Sequence, residues 1–336
     1  MPHVSREIRL AARPHGAPTL DTFAHAEVEL PDPGPGQVVV RNRWISVDPY
    51  MRGRMSDAPS YTAPYEVGEA MLGGAVGEVI ASGDERFPTG TTVLHGLGWR
   101  DVALVEGDHV VRVDPDVAPI QAYLGILGMP GLTAYGGLVE TAGIREGDTV
   151  FVSAAAGAVG SAVGQIARQL GASRVIGSAG GPEKVRHVVD DLGFDGAIDY
   201  REGRLRRQLR ELAPDGIDVY FDNVGGEHLE VAIGALRLHG RIAICGMISQ
   251  YNATEPAPGP RNLVRLIQTR GSIRGLLVYD FEHLRERFVR DVGGWLAAGR
   301  LHYRETVVDG LDQAPQAFLD LLDGRNVGKM LVRLDG

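Results

Sequence analysis

A run of small residues, Ala154-Ala155-Ala156-Gly157-Ala158-Val159-Gly160, stands between a β-branched segment and a stretch with helical spacing. It is a variant of the G-x-G-x-x-G phosphate loop, with Ala155 in place of the first glycine. Gly157 and Gly160 carry no side chain to hold a pyrophosphate away from the helix N-terminus, where free N–H groups and the helix dipole favour anions. Gly157, Ala158, Val159 and Gly160 are therefore candidate pyrophosphate contacts. About 20 residues beyond the glycines, a site for NAD places a carboxylate that accepts from the ribose 2′-hydroxyl. Here that stretch reads Ser178-Ala179-Gly180-Gly181, with no acid, and Lys184 follows. A 2′-phosphate would meet small residues and a cation instead of a repelling carboxylate, which favours NADPH. Taken singly, the loop also fits an ordinary turn of small residues, and Lys184 an exposed first-turn lysine.

Metal chemistry has little to draw on. The single cysteine, Cys245, rules out an intrachain disulfide and any structural zinc site built mainly from cysteines. The ten histidines show no His-Glu-x-x-His pair or similar close spacing. No metal is expected. Cys245 itself falls at a strand end, where a free thiol packs as a small hydrophobe.

The elements that must position these residues alternate. Strands are expected at 149–153, 174–178, 197–200, 217–222, 241–245 and 272–276, with helical stretches between most of them. Val159, Val163, Ile166, Ala167 and Leu170 share one helix face, and Gly171 stops that helix. Six strands in βα alternation predict an α/β fold, a doubly wound parallel sheet of the Rossmann type. The first third reads differently: short runs at 38–45, 75–81, 91–95, 101–105 and 110–113, punctuated by Gly, Pro and Asp, suggest a small barrel. A helical pattern opens at 131–140. The tail reads strand at 304–308, helix at 311–322 and strand at 329–333, and is expected to return to the first domain. The boundaries that follow are 1–121 completed by 300–336 for the β-rich domain, and 122–299 for the cofactor domain.

Composition excludes several partners. Of the 336 residues, 44% are hydrophobic and 23% charged, with a formal net charge of −9. An acidic chain is a poor match for nucleic acid or an anionic membrane surface. No apolar run is long enough to span a bilayer and the first residues lead into no apolar segment, so a cytoplasmic location is expected by default. The arginines at 204, 206, 207 and 210 read as a solvated helix face. Asp48 near Arg52 and Arg54 is expected to form structural ion pairs.

Several longer motifs occur together, in this order: Val47-Asp48-Pro49-Tyr50-Met51-Arg52-Gly53-Arg54-Met55, Gly128-Met129-Pro130-Gly131-Leu132-Thr133-Ala134-Tyr135, the alanine–glycine loop, Glu183-Lys184-Val185, Phe221-Asp222-Asn223-Val224-Gly225-Gly226, Cys245-Gly246-Met247-Ile248-Ser249-Gln250-Tyr251-Asn252 and Asn326-Val327-Gly328-Lys329. Spread over nearly the whole chain, they resemble the zinc-free medium-chain dehydrogenase/reductase superfamily, and within it the prostaglandin reductase and plant double-bond reductase family. The resemblance implies a GroES-like barrel built from both ends of the chain around an inserted Rossmann domain, with NADPH and substrate in a cleft between them. It assigns the 2′-phosphate region to Lys184 and Tyr200, next to Ser178. It places Asn223, Cys245, Gly246, Ile248, Ser249 and Tyr251 along the cofactor. Leu276, Leu277, Val278 and Asn326 would border the nicotinamide. A homodimer joined through the Rossmann domains is implied too. The chain departs from the family pattern by one extra residue between Lys184 and Tyr200, by a shortened barrel around 82–92, and by Arg100 where an acid is usual.

The activity so implied is NADPH-dependent reduction of the C=C bond of an α,β-unsaturated ketone or aldehyde. Hydride reaches the β-carbon, and negative charge grows on the carbonyl oxygen as an enolate. One well-aimed donor lowers such a barrier by about 3–4 kcal/mol. Without zinc, hydroxyls must serve, and Tyr251 and Tyr50 are the candidates. Tyr251 equally fits a clamp on the cofactor, and Tyr50 a wall of the substrate site. Two other functions stay open on these residues: an NADPH-dependent quinone reductase on the same scaffold, and a non-catalytic NADPH-binding protein.

Overall fold

The first element is an antiparallel pair of β1 (His3–Leu10) and β2 (Phe23–Leu30). Ile8, Leu10 and Phe23 point inward, and Arg9 and Glu27 flank them. Then come β3 (Gln37–Ser46), α1 (Tyr50–Arg54), β4 (Ala75–Ser82), β5 (Thr92–His95), β6 (Val102–Glu106) and the two-residue β7 (Val111–Arg112). The computed structural model describes residues 3–334.

The middle of the chain alternates helix and strand. Its elements are α2 (Met129–Gly136), β8 (Thr149–Val152), α3 (Ala158–Gln169), β9 (Arg174–Ala179), α4 (Pro182–Arg186), β10 (Gly196–Asp199), α5 (Leu205–Leu212), β11 (Ile217–Asp222), α6 (Gly226–Ala235), β12 (Leu236–Ile244), α7 (Val264–Thr269), β13 (Ser272–Gly275) and α8 (Arg285–Ala297). The six strands form one all-parallel sheet in the order β10-β9-β8-β11-β12-β13. The order in which strands are added reverses between β8 and β11, the switch point outside whose carboxyl ends a doubly wound sheet binds its ligand. The core on one side of this sheet collects Phe151, Ile176, Ile198, Tyr220 and Ile242. Val163, Ile166 and Ala167 of α3 are buried, while Val159 and Leu170 lie half-buried at its ends.

The tail supplies β14 (Glu305–Asp309), α9 (Ala314–Leu322) and β15 (Lys329–Arg333). They join the N-terminal strands in a seven-stranded sheet in which β3 is the hub. One edge of β3 pairs with β4, and the other is divided between β6 at 37–41 and β15 at 44–46. Register shifts at Val39/Val40 and Asn42/Trp44 bend the strand, as bulges do, so one strand serves three partners. The chain thus makes two units, Met1–Leu124 with Glu305–Gly336, and Gly125–Arg304.

Some sequence expectations change in detail. The strand expected at 110–113 shrinks to β7, because Gly107–His109 takes a 3-10 turn first. Tyr200 does not close β10 but opens the 3-10 turn Tyr200–Glu202. The strand expected from 241 begins at Leu236, and the helix expected over 131–140 changes at Gly137 into a π-helical turn, Gly137–Ala142. Asp48 pairs with Lys329 at 3.2 Å, a residue from the far end of the chain, while Arg52 donates to the Gly16 carbonyl and Arg54 to that of Ala63.

Candidate functional site

All six strands of the parallel sheet end on one edge, and the candidate residues of the middle unit follow those ends. After β8 the chain turns through Ala154 with φ +49, a left-handed conformation in a residue that is not glycine. Ala155 N–H donates to the Ser178 carbonyl at 2.9 Å, and Gly157 N–H to that of Ala154 at 2.9 Å. A Cβ on Gly160 would run into the Ala154 carbonyl, so this glycine lets α3 start tight against the loop. Gly157 is the N-cap of α3 in extended geometry, with no side chain capping the first turn. The twelve-residue helix therefore presents free N–H groups beside the switch point.

β9 ends in the second group. Ser178 is fully buried, and its hydroxyl lies 2.8 Å from His228 Nε2 on α6. His228 also meets the Tyr200 ring edge-on, centroids 5.6 Å apart. Tyr200 Oη lies 2.8 Å from where a Cβ on Gly180 would stand, and Arg201 Nε lies 3.0 Å from it. Burial first, and the Arg201 charge second, push the Lys184 amine below the usual lysine range. Two cations and a phenol thus gather over a turn of glycines, a suitable setting for a phosphate.

β11 and β12 end in loops tied to one carboxylate. Asp222 is fully buried, and its Oδ1 accepts from Tyr220 Oη at 2.6 Å, from Ser153 Oγ at 3.1 Å and from the N–H groups of Val224 and Gly225 at 2.9 Å. Its carbonyl accepts from Cys245 N and Gly246 N. Asn223 donates its side-chain amide to the Ser153 carbonyl at 2.8 Å. Ile248 N–H donates to the Asn223 carbonyl at 3.3 Å, and Ser249 donates to Val224 O through both its N–H and its hydroxyl. These bonds lead the chain through a 3-10 turn, Ile248–Gln250, to Tyr251, whose hydroxyl stands 3.0 Å from where a Cβ on Gly246 would be. The Cys245 thiol is pushed up to about 12 by burial and by Asp222, so it is neutral lining and not a nucleophile. Leu276 N–H donates to the Ile244 carbonyl just past β13, and Leu276, Leu277 and Val278 are half-buried there.

In the other unit, Tyr50 opens α1 and packs partly against the core of Met51, Met55, Trp99 and Phe318. Lys329 donates to the Val47 carbonyl at 2.8 Å and so pins the segment that leads into Tyr50. Asn326 is buried and donates to the Gly328 carbonyl at 2.7 Å. Arg100 pairs with Glu7 at 3.3 Å, and both line a cavity of about 320 Å³ with Arg9 and Tyr65.

The structure brings Arg201, His228 and Asp222, which no sequence motif singled out as site residues, next to the candidate residues at the strand ends. His228 and Asp222 become part of the site through neighbours 50 and 69 residues away in sequence.

Sheet order, glycine-lined turn and cationic turn together define the middle unit as a dinucleotide-binding Rossmann unit. Residues 6–113 match the family model described as the N-terminal domain of oxidoreductase, and residues 158–292 the one described as zinc-binding dehydrogenase. The zinc of that second description finds no fitting residues: among the described residues no three His, Cys, Asp or Glu side chains group as metal ligands. The chain is 43% identical to the NADPH-dependent curcumin reductase of Escherichia coli, over 97% of this chain and 96% of that protein. It is 43% identical to the NADP(+)-dependent 2-alkenal reductase of Nicotiana tabacum, over 91% of this chain and 89% of that protein. The crystal structure of CurA from Vibrio vulnificus in complex with NADPH superposes with a TM-score of 0.94 at 43% identity, covering 98% of this chain and 99% of that one. The chain belongs to the zinc-independent medium-chain dehydrogenase/reductase family.

Proposed function

We propose that this protein is an NADPH-dependent reductase of the C=C bond in α,β-unsaturated ketones and aldehydes. The observation that carries the reading is the full-length likeness to a curcumin reductase and a 2-alkenal reductase. Bound NADPH supplies the hydride. Gly157, Ala158, Val159 and Gly160 hold its pyrophosphate at the start of α3, where N–H groups are free. Ser178, Lys184 and Tyr200 form the pocket for the 2′-phosphate. Asn223, Cys245, Gly246, Ile248, Ser249 and Tyr251 line the cofactor, held in place through Asp222. Leu276, Leu277 and Val278, half-buried past β13, border the nicotinamide.

Tyr251 is assigned the donor role. Its hydroxyl is set by a turn whose bonds run back to the end of β11, so it is preorganised to donate to an enolate oxygen without reorganising. Tyr50 is the second candidate, on a helix whose entry Lys329 fixes. The functional test is NADPH consumption with simple enones and enals, compared with quinones and with no acceptor, before and after dialysis against a strong chelator. Turnover of enones that survives the chelator is expected. Turnover of quinones alone would reassign the substrate, zinc-restorable activity would reassign the chemistry, and no turnover with any acceptor would leave only cofactor binding.

We further propose that two copies associate through the parallel sheet. β13 is its edge strand, and Leu263, Val264 and Ile267 stand 50%, 60% and 79% exposed on and beside α7, which packs on β12. An open edge flanked by apolar side chains supports a symmetric partner.

A further inference from the structure

The turn after β9 and the turn after β10 are locked to each other by one carboxylate. Asp199 Oδ1 accepts from Gly181 N–H at 2.9 Å and from Arg201 N–H at 3.0 Å. Gly181 has φ +94, and that conformation lets its N–H turn toward Asp199. The lock carries the Arg201 side chain over both glycines: Nε is 3.0 Å from a Cβ placed on Gly180, and Nη1 is 3.7 Å from one placed on Gly181. Arg201 is exposed, and among the described residues its guanidinium has no ion-pair partner, although Glu202 is its neighbour in sequence. A surface arginine with no carboxylate, folded back over glycines and toward a second cation, gains nothing from its neighbours in the protein. Its position makes sense for a divalent anion sitting on the turn.

We propose that Arg201 is the second cation of the 2′-phosphate site and a determinant of NADPH over NADH, and that Asp199 is the residue that positions it. This rests on the reading of the glycine turn as a 2′-phosphate pocket and adds a residue which neither the glycine motif nor the Lys184–Tyr200 pair contains. Asp199 is no obstacle to the phosphate, because Oδ1 is committed to two backbone donors in the floor of the turn.

The test is titration of NADPH and of NADH into the full-length protein, followed by nucleotide fluorescence, for wild type, Lys184→Ala, Arg201→Ala, Arg201→Lys, Asp199→Ala and Asp199→Asn. Arg201→Ala is expected to weaken NADPH by about ten- to a hundredfold, the range for a lost charge-assisted hydrogen bond, and to leave NADH within about twofold. Arg201→Lys keeps the charge without the fork and should fall between. Asp199→Ala should follow Arg201→Ala, whereas Asp199→Asn, which keeps an acceptor oxygen, should recover much of the preference. Thermal midpoints of the free proteins separate loss of fold from loss of binding, and Arg201→Lys serves if the alanine variant does not fold. An NADPH-to-NADH ratio unchanged in Arg201→Ala but collapsed in Lys184→Ala overturns this assignment and spares the pocket. Equal affinities for the two nucleotides in wild type overturn the pocket itself.

Discussion

Lys184 and Tyr251 are asked for different things, and each has its own signature. Lys184 must be charged to hold a 2′-phosphate, yet burial and Arg201 lower its pKa from the ordinary 10.5. The protonated amine is the binding form. NADPH affinity is therefore full below the lowered pKa and falls as pH rises through it, at a lower pH than an ordinary lysine would give. Measured between pH 7 and 10, the NADPH dissociation constant should climb while that of NADH stays flat. Lys184→Ala should lose about 1.5–3 kcal/mol of NADPH binding and lose the alkaline slope with it. A slope that persists in the variant would place the titrating group elsewhere. Tyr251→Phe separates donor from clamp. A donor aimed at the enolate oxygen acts chiefly in the transition state, so kcat should drop by more than the NADPH dissociation constant rises. The reverse pattern makes Tyr251 a clamp and turns attention to Tyr50.

At the scale of elements, the turn between β5 and β6 is held by a buried histidine. His95 Nε2 donates to Asn42 Oδ1 at 2.9 Å, and its Nδ1 accepts from Leu97 N–H at 3.1 Å, so the ring is neutral. Asn42 in turn donates to the carbonyls of Leu97 and Arg100, on either side of Trp99, which is fully buried with φ +60. Burial, then Arg100, lowers the His95 pKa from 6.5 to about 3. Unfolded chains therefore bind a proton that the fold refuses. The stability contribution is complete above about pH 6.5 and is lost as pH falls toward 3, by at most about 1.4 kcal/mol per pH unit for one site. Urea midpoints of wild type should decline across that window, and His95→Gln should decline less. Equal slopes would remove His95 from the acid response.

The central strands β8, β9 and β11 were legible in the sequence because they are buried on both faces and read as apolar runs. β1 and β2 were not: Arg6, Glu7, Arg9, Glu27 and Glu29 interrupt them, and only the paired strand shows that the alternate residues form a core face. Nor were the contacts that join distant segments, such as Asp48 with Lys329 and Ser178 with His228, because a buried polar partner is chosen by packing and not by spacing. The glycine loop was legible as a motif, whereas the left-handed conformation of Ala154 within it was not. Arg201 carried no sequence signal, since its place depends on Asp199 holding two turns together.

For the molecule as a whole, the chain order matters: the mixed β unit is begun by Met1–Leu124 and finished by Glu305–Gly336, with the parallel-sheet unit inserted. The inserted unit leaves β13 as an open edge, and the proposed dimer follows from it. Sedimentation of wild type should give twice the mass of one chain, and Ile267→Glu, a charge placed on the most exposed of the three apolar residues, should give single chains. Single chains for wild type at micromolar concentration would contradict the dimer. Conjugate addition of hydride without a metal is tested by the fate of the label from NADPH deuterated at the transferred position, with an enone as acceptor. The saturated ketone with deuterium on the β-carbon is expected. An allylic alcohol with deuterium on the carbinol carbon would contradict conjugate addition.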